Sequence, residues 1–594
     1  MISTTAQFAA IRPLNRGMDR ETTTQLIEKG RFYDIRNGRI TSTGLRRRGG
    51  YSLYGSWSLF SLDEVLLGTP LYYDSTGNVQ TLLVTNKHLY KLVGSATTSS
   101  VTLLSKKLYS ELSSTCDTNS GGTISVTVSE ATFIMDGLVQ QGDTVWIYNE
   151  TLEYKEPYEL VTFTEDTLTV VNHDGATRTG ELDVDVVAAF QYWPDWTLAE
   201  GKLVYCDNSG RGLWAYDGTN VDEYNEDQDP VLSQIDTVVY FGDRLWIGGV
   251  TESSADEKYR IRWTTVDDVT EFPVANFVDL PYSREGIRRL MPLGNLLVAY
   301  FGDQIYYGRP TNIVNLPYDF TPLNTGSVGL VGPRAIISWL DSHWFIGQDN
   351  LYRLSASRAL EEIGNPVYEA MLSGEGLQPS KAIVVEDPYS ERIIFMVPGS
   401  AQTCPIVWSY YYKRDSWSSE TFGGYGIDHI QSSLTYVWSA MTGTWTATTD
   451  NWISFFGEAH EPVCLYYRSG KPYVYDANGV SDWETNGAIR FVLESGDFDY
   501  DTPDILKMTN QLGIKLRDPR LDAVTFLLET STNRGQLWIN RGNVTIGVGY
   551  DEAKWGFSST GSLFRFRLTS ESLCTPYEVT EIVLKAVQVG LEPF

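Results

Sequence analysis

Histidine, cysteine, basic charge and long apolar runs are all scarce in this chain. Five histidines, His88, His173, His343, His429 and His460, serve 594 residues. None forms an H-E-x-x-H pair: His460-Glu461 runs into Pro462, with no histidine four residues on, which removes that zinc-protease pattern. The five cysteines (Cys116, Cys206, Cys404, Cys464, Cys574) are scattered without a C-x-x-C pair, so neither a zinc site nor a disulfide framework is read from their spacing. Their odd number fits reduced thiols of a protein made in a cytoplasm. No G-x-S-x-G elbow is present. The Gly-Lys pairs ending at Lys202 and Lys471 lack the earlier glycine and the following Ser or Thr of a phosphate loop. Asp497-Phe-Asp-Tyr-Asp501 opens like a calcium loop. Thr502 then stands where glycine is needed and Met508 where glutamate is needed. Its alternation instead predicts a strand with Asp497, Asp499 and Asp501 on one face and Phe498 and Tyr500 on the other. No catalytic, cofactor-binding or metal-ligating residue is nominated, and an enzyme is not expected. A glycosidase needs only two placed carboxylates, so that chemistry stays open among 75 acidic residues.

The longest apolar runs, such as Leu296–Phe301, fall far short of a membrane span. The opening Met1-Ile-Ser-Thr-Thr-Ala-Gln7 has no basic start or apolar core, so no secretory signal is expected. Basic residues number 46 against 75 acidic ones, a net charge of −29. That argues against a surface that grips nucleic acid throughout, because such a surface needs Lys and Arg to displace counterions. It is compatible with a wall past which DNA slides, and equally with solubility alone.

What the chain does have is aromatic and strand-forming residues: 17 Trp, 36 Tyr, 23 Phe and 52 Gly. Helical periodicity is nearly absent, and an all-β protein is expected. Three stretches look alike: Tyr240-Phe-Gly-Asp-Arg-Leu-Trp-Ile-Gly248, Tyr300-Phe-Gly-Asp-Gln-Ile-Tyr-Tyr-Gly308 and Leu340-Asp-Ser-His-Trp-Phe-Ile-Gly347. Each reads as an apolar strand, a tight Gly-Asp or Asp-Ser turn and an aromatic strand, the signature of a hairpin. Looser copies lie at 82–92, 199–218 and 349–354. Units of roughly 40–50 residues with about four strands have the size of propeller blades, and six to eight would fit. A run of unrelated hairpins is the alternative. Taken in order, the chain divides into an arm (1–50), a β-propeller (51–105 and 190–484), an inserted small β-barrel (106–189) and a C-terminal β-sandwich (485–594). In the arm, Glu21 to Lys29 has the look of one or two helical turns ended by Gly30. In the insert, Thr123–Val128, Val139–Ile147, Tyr158–Phe163 and Thr167–Val171 are short strands, the last two joined by Thr164-Glu-Asp166. The aromatic clusters Tyr192, Trp193, Trp196 and Tyr410-Tyr411-Tyr412 are read as core or subunit contact, with sugar stacking as the alternative.

The arm carries Arg-Gly-Met-Asp19, then Asn37, Gly44, Leu45, Arg48 and Gly49. This order resembles the opening of the tail nozzle proteins of short-tailed bacteriophages, also called tail hub or packaged-DNA stabilisation proteins. Tyr412-Lys-Arg-Asp-Ser-Trp-Ser418 resembles a phrase frequent in phage tail propellers. Asp497, Asp499, Lys507, Arg565, Arg567, Ile582 and Leu584 match the layout of the nozzle C-terminal domain. The resemblance covers most of the chain and the insert least. It implies a structural protein of the virion's short tail, made in the host cytoplasm. It implies a homo-oligomeric ring, a hexamer, under the portal and adaptor rings, carrying tail fibre or spike proteins. Such a ring lines the DNA exit channel and retains packaged double-stranded DNA without sequence-specific binding, with no cofactor and no membrane span. Arg46, Arg47 and Arg48 are the candidate subunit contact. A solvated edge or pairing with carboxylates is the plainer reading of those arginines. The second functional reading is a carbohydrate-binding or glycoside-cleaving propeller of a receptor-binding tail protein. A third is a bacterial surface propeller.

Overall fold

The computed structural model describes residues 6–591 apart from 432–461 and shorter stretches. The main ones are 55–58, 60–63, 75–78, 94–99, 119–122, 129–138, 150–153, 172–180, 208–210, 225–230, 483–486 and 501–504, with several briefer breaks. Asp501, Tyr192, His173, His460, Lys29 and the turn at 165–166 therefore lie outside the described residues, as do the side chains of His429, Cys116 and Cys464. The regular elements of the described chain are nearly all strands. Tyr368–Leu372 is a single helical turn and Pro379–Lys381 a 3-10 turn. The sequence 21–28 forms turns instead of a helix. The cause is local: Asp19 accepts from both the amide and the hydroxyl of Thr22, at 3.0 and 2.8 Å, and three successive threonines disfavour helix.

The strands pair into small antiparallel sheets. Five have four strands; they begin at Asp195, Leu232, Ile287 and Ile336, and the fifth begins at Ile427. Leu66–Gly68, Leu71–Tyr73, Val79–Thr85, Leu89–Val93 and Ser100–Leu103 make another sheet. Ile383–Asp387, Arg392–Met396, Cys404–Tyr411 and Ser416–Gly424 are hydrogen-bonded in sequence order within a larger one. First strands are neighbours. Asp195–Ala199 lies beside Leu232–Tyr240, and that strand beside Ile287–Leu293. Ile336–Trp339 lies beside Ile383–Asp387, that strand beside Ile427–Gln431, and that in turn beside Leu66–Gly68. Apolar cores fill the gaps between consecutive sheets. Trp246 and Trp263 pack 5.2 Å apart against Leu290, Leu297 and Phe301 of the next sheet.

The hairpins explain why the sequence signal is strong and also why it misleads. At Tyr240–Leu245 the turn residues Gly242 and Asp243 both have positive φ (58° and 56°), as do Leu340 and Asp341 (51° each) between Trp339 and Ser342. This backbone matches the twist of the flanking strands. The third turn is therefore Leu340-Asp341, one residue earlier than Asp341-Ser342. These two turns join the first and second strands of their sheets. Gly302-Asp303 joins the second and third strands, Leu296–Phe301 and Ile305–Ile313. The Gly294-Asn295 turn between Leu293 and Leu296 is its true counterpart.

The segment Lys107–Val187 closes into a six-stranded antiparallel barrel around Ile124, Val126, Val145, Leu168 and Val184. It enters after the last strand of the Leu66–Leu103 sheet and leaves before Asp195. The N-terminal strands do not form a separate arm. Phe32–Arg36 sits between Ser416–Gly424 and Phe491–Ser495, joining two groups of strands into one nine-stranded sheet. Gly50–Leu53 is not part of the first sheet; it pairs with Lys471–Asp476 and completes the sheet begun at Ile427. A six-stranded sheet of Ala6–Ile11, Gly38–Ile40, Leu45–Arg47, Ile505–Arg517, Glu552–Gly561 and Glu578–Leu591 packs on the C-terminal part of the nine-stranded one. Asp497 to Tyr500 is not a strand with an acidic face. Phe498 makes a single bridge to Phe564 and stacks on Phe566 at 6.0 Å, and Tyr500 has φ 55°. Asp497 accepts from Thr24 Oγ1 at 2.5 Å, so its carboxylate ties the N-terminal turns to this loop.

Candidate functional site

Where the first strands converge, one carboxylate ties four successive sheets. Asp195 is buried at the start of its strand because the Trp193-Pro194 segment delivers it inward. It accepts from Thr237 Oγ1 at 2.6 Å and the Val238 amide at 3.2 Å in the next sheet. Arg289 of the following sheet reaches it at 3.1 Å, and Arg334 stands 4.0 Å away. Arg334 also lies 3.4 Å from the Trp196 ring centroid and donates to the Pro194 carbonyl. A buried carboxylate holds such a position only when cations and donors surround it.

Beside this knot is a cavity of about 660 Å³, lined by the entries to several first strands and by the barrel residues Gly142 and Glu159. Asp236 lines it and has no hydrogen-bond or ion-pair partner among the described residues. Its side chain rests on Gly249, where φ is 67° and a Cβ would fall 2.3 Å from Oδ2. Burial, with Asp256 adding repulsion, pushes the Asp236 carboxyl up to about 7. The folded state thus favours the proton. The penalty for ionising Asp236 is absent below the unfolded value near 4 and complete above 7. Asp236→Asn is expected to stabilise the protein at pH 8. The gain should exceed that at pH 5 by about 2 kcal/mol, read as denaturation midpoints at the two pH values.

The histidines that the structure describes are structural. His343 Nε2 donates to the Pro292 carbonyl and Nδ1 accepts from the Tyr300 hydroxyl, both at 2.8 Å. Burial pushes its pKa down to about 4. His88 is held between Glu64 (2.8 Å) and Thr144 (3.0 Å), linking the Val79–Thr85 sheet to the barrel. Arg211 fixes the same end of the barrel through the adjacent Asp143 at 2.6 Å. Among the described residues no group of three metal-ligating side chains gathers.

The arginine run goes inward. Arg47 and Arg48 are fully buried, so they correct the expectation of a subunit contact at these two positions; Arg46 alone keeps partial exposure. The alternation of Leu45–Arg47 turns Arg47 into the core, where it donates to the Cys574 carbonyl and lies over Tyr577. Arg48 donates from Nε to Asn37 Oδ1 at 2.8 Å and from Nη2 to the Thr421 carbonyl at 3.1 Å. Asn37, at φ 55°, also donates to Arg490 O at 2.7 Å. The Asn37, Gly44, Leu45, Arg48 and Gly49 pattern is thus a joint between the N-terminal strands and the strands at 416–424 and 491–495. Arg47→Ala and Arg48→Ala are each expected to cost about 2–4 kcal/mol, and Arg46→Ala under about 0.5 kcal/mol, by chemical denaturation.

The sequence did not point to Asp195, Asp236 or the buried pair Arg392 and Glu420. Arg392 carried one clue: it stands at the head of Ile393-Ile-Phe-Met396, and a cation in a buried strand requires a partner. Of the aromatic clusters, Tyr410 and Trp417 pack 5.0 Å apart in the core. Trp196 is half-buried under Arg334.

No protein-family model matches the chain, and no characterised relative is found by sequence. Solved structures give distant likenesses. PorZ, a bacterial surface component of the type-IX secretion system of Porphyromonas gingivalis, is 11% identical over 85% of this chain, at a TM-score of 0.30. The chain spans 48% of PorZ. YCF48 from Cyanidioschyzon merolae is 10% identical over 57% of this chain and 94% of its own length, TM-score 0.27. The phage phi92 endosialidase is 9% identical over 73% of this chain and 52% of its own, TM-score 0.17. Likenesses of this size carry no functional argument.

Proposed function

We propose that the chain is a non-enzymatic structural protein of a short phage tail, a nozzle or hub subunit that assembles into a ring around the DNA exit channel. In this reading the five four-stranded sheets, the Leu66–Leu103 sheet and the Ile383–Gly424 strands are the blades of a seven-bladed β-propeller. Gly50–Leu53 closes the last blade, the barrel is an inserted platform and the C-terminal strands are a β-sandwich. The observation that carries it is the nine-stranded sheet through Phe32–Arg36. It joins the Ile383–Gly424 strands to the C-terminal strands, Arg36 bridging Ser419 on one side and Phe32–Arg36 pairing along Phe491–Ser495 on the other, which resists hinging there. A rigid multi-module body suits a part that bears load and holds register in a ring. The resemblance of the Asn37–Gly49 and Tyr412–Ser418 segments to nozzle proteins supplies the identity of that ring. The surplus of 75 acidic over 46 basic residues keeps the walls repulsive to phosphate, so DNA passes without sticking. The partners are further copies of itself, a portal or adaptor ring and tail fibres or spikes, in the virion.

Electron microscopy of the purified protein, alone and with tail-less DNA-filled capsids, tests this reading. Closed rings with an axial channel, free or on the portal vertex, are expected. A monomer or trimer that ignores the vertex overturns it.

A further inference from the structure

The wall of the cavity beside Asp195 holds two matched pairs of side chains, alongside Glu159 and an Arg288–Glu285 ion pair that neutralises itself. Lys87 and Phe190 are tied through the backbone, the Phe190 amide donating to the Lys87 carbonyl at 2.8 Å. Lys381 and Trp193 are tied through Tyr425, whose hydroxyl donates to the Lys381 carbonyl and whose ring packs 6.2 Å from Trp193. All four line the cavity. Each ring is backed by another: Phe190 packs edge-on to Tyr205 at 5.6 Å and Trp193 tilts against Tyr425. Both remain only half-buried, with surface left toward the cavity. Neither ammonium has a carboxylate or hydrogen-bond partner among the described residues, in a chain with 75 acidic residues to offer. Unpaired cations in a concave wall of an acidic protein attract an anion, and fixed aromatic faces suit the C–H face of a sugar ring. Asn86 and the proton-bearing Asp236 add hydrogen-bond donors in the same wall.

We propose that this cavity is a binding site for a carboxylated sugar, with Lys87 and Lys381 on the carboxylate and Phe190 and Trp193 against the ring. A volume of about 660 Å³ lies within the range of small-ligand pockets and is large enough for one or two sugar units. The same chemistry is offered by a free sugar acid and by the end of an acidic polysaccharide. The site does not depend on the tail reading and holds whether or not the chain forms a ring.

Isothermal titration of the full-length protein at pH 6.5 tests it with glucuronate, an oligoglucuronide and glucose. Saturable 1:1 binding of glucuronate, with glucose at least tenfold weaker, is expected. Comparable affinity for the oligomer and the monomer assigns the site to a terminal or free sugar acid; a much tighter oligomer assigns it to the polysaccharide. Lys87→Gln combined with Lys381→Gln should weaken binding at least tenfold. Trp193→Leu should do so independently, with folding checked by near-ultraviolet circular dichroism. Absence of saturable binding to the wild-type protein, or binding unchanged in the folded double variant, overturns the proposal.

Discussion

Glu420→Gln is expected to lower the stability of the folded chain by about 3–5 kcal/mol, the usual cost of leaving a buried cation without its counter-charge. Glu420 and Arg392 are both almost wholly inaccessible. The Arg392 guanidinium donates to Glu420, to Asp387 at 2.9 Å, to Ser409 Oγ at 2.9 Å and to the Tyr466 hydroxyl at 3.0 Å. Arg39 adds a second contact to Glu420 at 3.1 Å, and the Tyr51 hydroxyl donates to its other oxygen at 3.1 Å. One carboxylate therefore joins the strands at 38–40, 50–53, 392–396 and 416–424. Removing its charge leaves Arg392 with Asp387 alone and Arg39 without its carboxylate. Burial by itself would raise the Glu420 pKa, but Arg39, Arg392 and Arg48 outweigh it and hold the carboxyl well below its ordinary range. The folded value is the lower one, so this stabilisation is complete above about pH 4.5 and is lost as the pH falls further. Acid denaturation should accordingly be flatter in Glu420→Gln than in the wild type. Denaturant titrations between pH 3 and pH 7 check both points. Replacing Glu391, whose pairs with Lys413 and Arg414 lie toward solvent, should cost under about 1 kcal/mol.

Removing residues 1–53 should have a larger effect still. The truncated chain loses Gly50–Leu53 from the sheet it completes and Phe32–Arg36 from the middle of the nine-stranded sheet. It also loses Met18, Phe32, Ile35, Ile40 and Leu45 from the largest apolar core. At about 1.5–3 kcal/mol for each large apolar side chain, five such losses match the whole net stability of a typical domain. The expected product is insoluble, or digested throughout by a protease that leaves the intact protein whole. A soluble, resistant fragment would show that the remaining strands close without these two. A gentler test locks the register. Ser52 pairs with Val474, and a disulfide between cysteines at these two positions should raise the unfolding midpoint in oxidising buffer only.

Local chemistry was legible from the sequence and long-range pairing was not. Strands Thr123–Val128 and Thr167–Val171 begin and end where alternation puts them. The Lys413-Arg-Asp415 turn falls between Tyr411 and Ser416 with Asp415 at φ 47°. These signals sit within a few residues of each other. The three Gly-Asp-like stretches were also legible, but turn chemistry says nothing about which two strands of a sheet a turn connects, and Gly302-Asp303 proved to be the odd one. The N-terminal segment read as an arm because its strands are three to six residues long and carry charges. Their partners at 416–424, 471–476 and 491–495 are the missing information. Burial of Arg47 and Arg48 follows from those same partners, since the carbonyls of Thr421 and Cys574 that receive them lie far along the chain.

The pairing of Gly50 with Asp476 has a consequence for how the protein is made. The first strand of the pair leaves the ribosome more than four hundred residues before its neighbour. At roughly 5–20 residues per second that is about 20 s to over a minute. During that interval Gly50–Leu53 has no sheet to join, and Phe32–Arg36 has neither neighbour until Ser416–Gly424 is made. Interrupted synthesis would release chains with open strand edges, the species most inclined to pair with one another. Closure of that sheet therefore waits until residue 476 has been made, and the yield of native protein should rise when elongation is fast or when a chaperone shields the early strands.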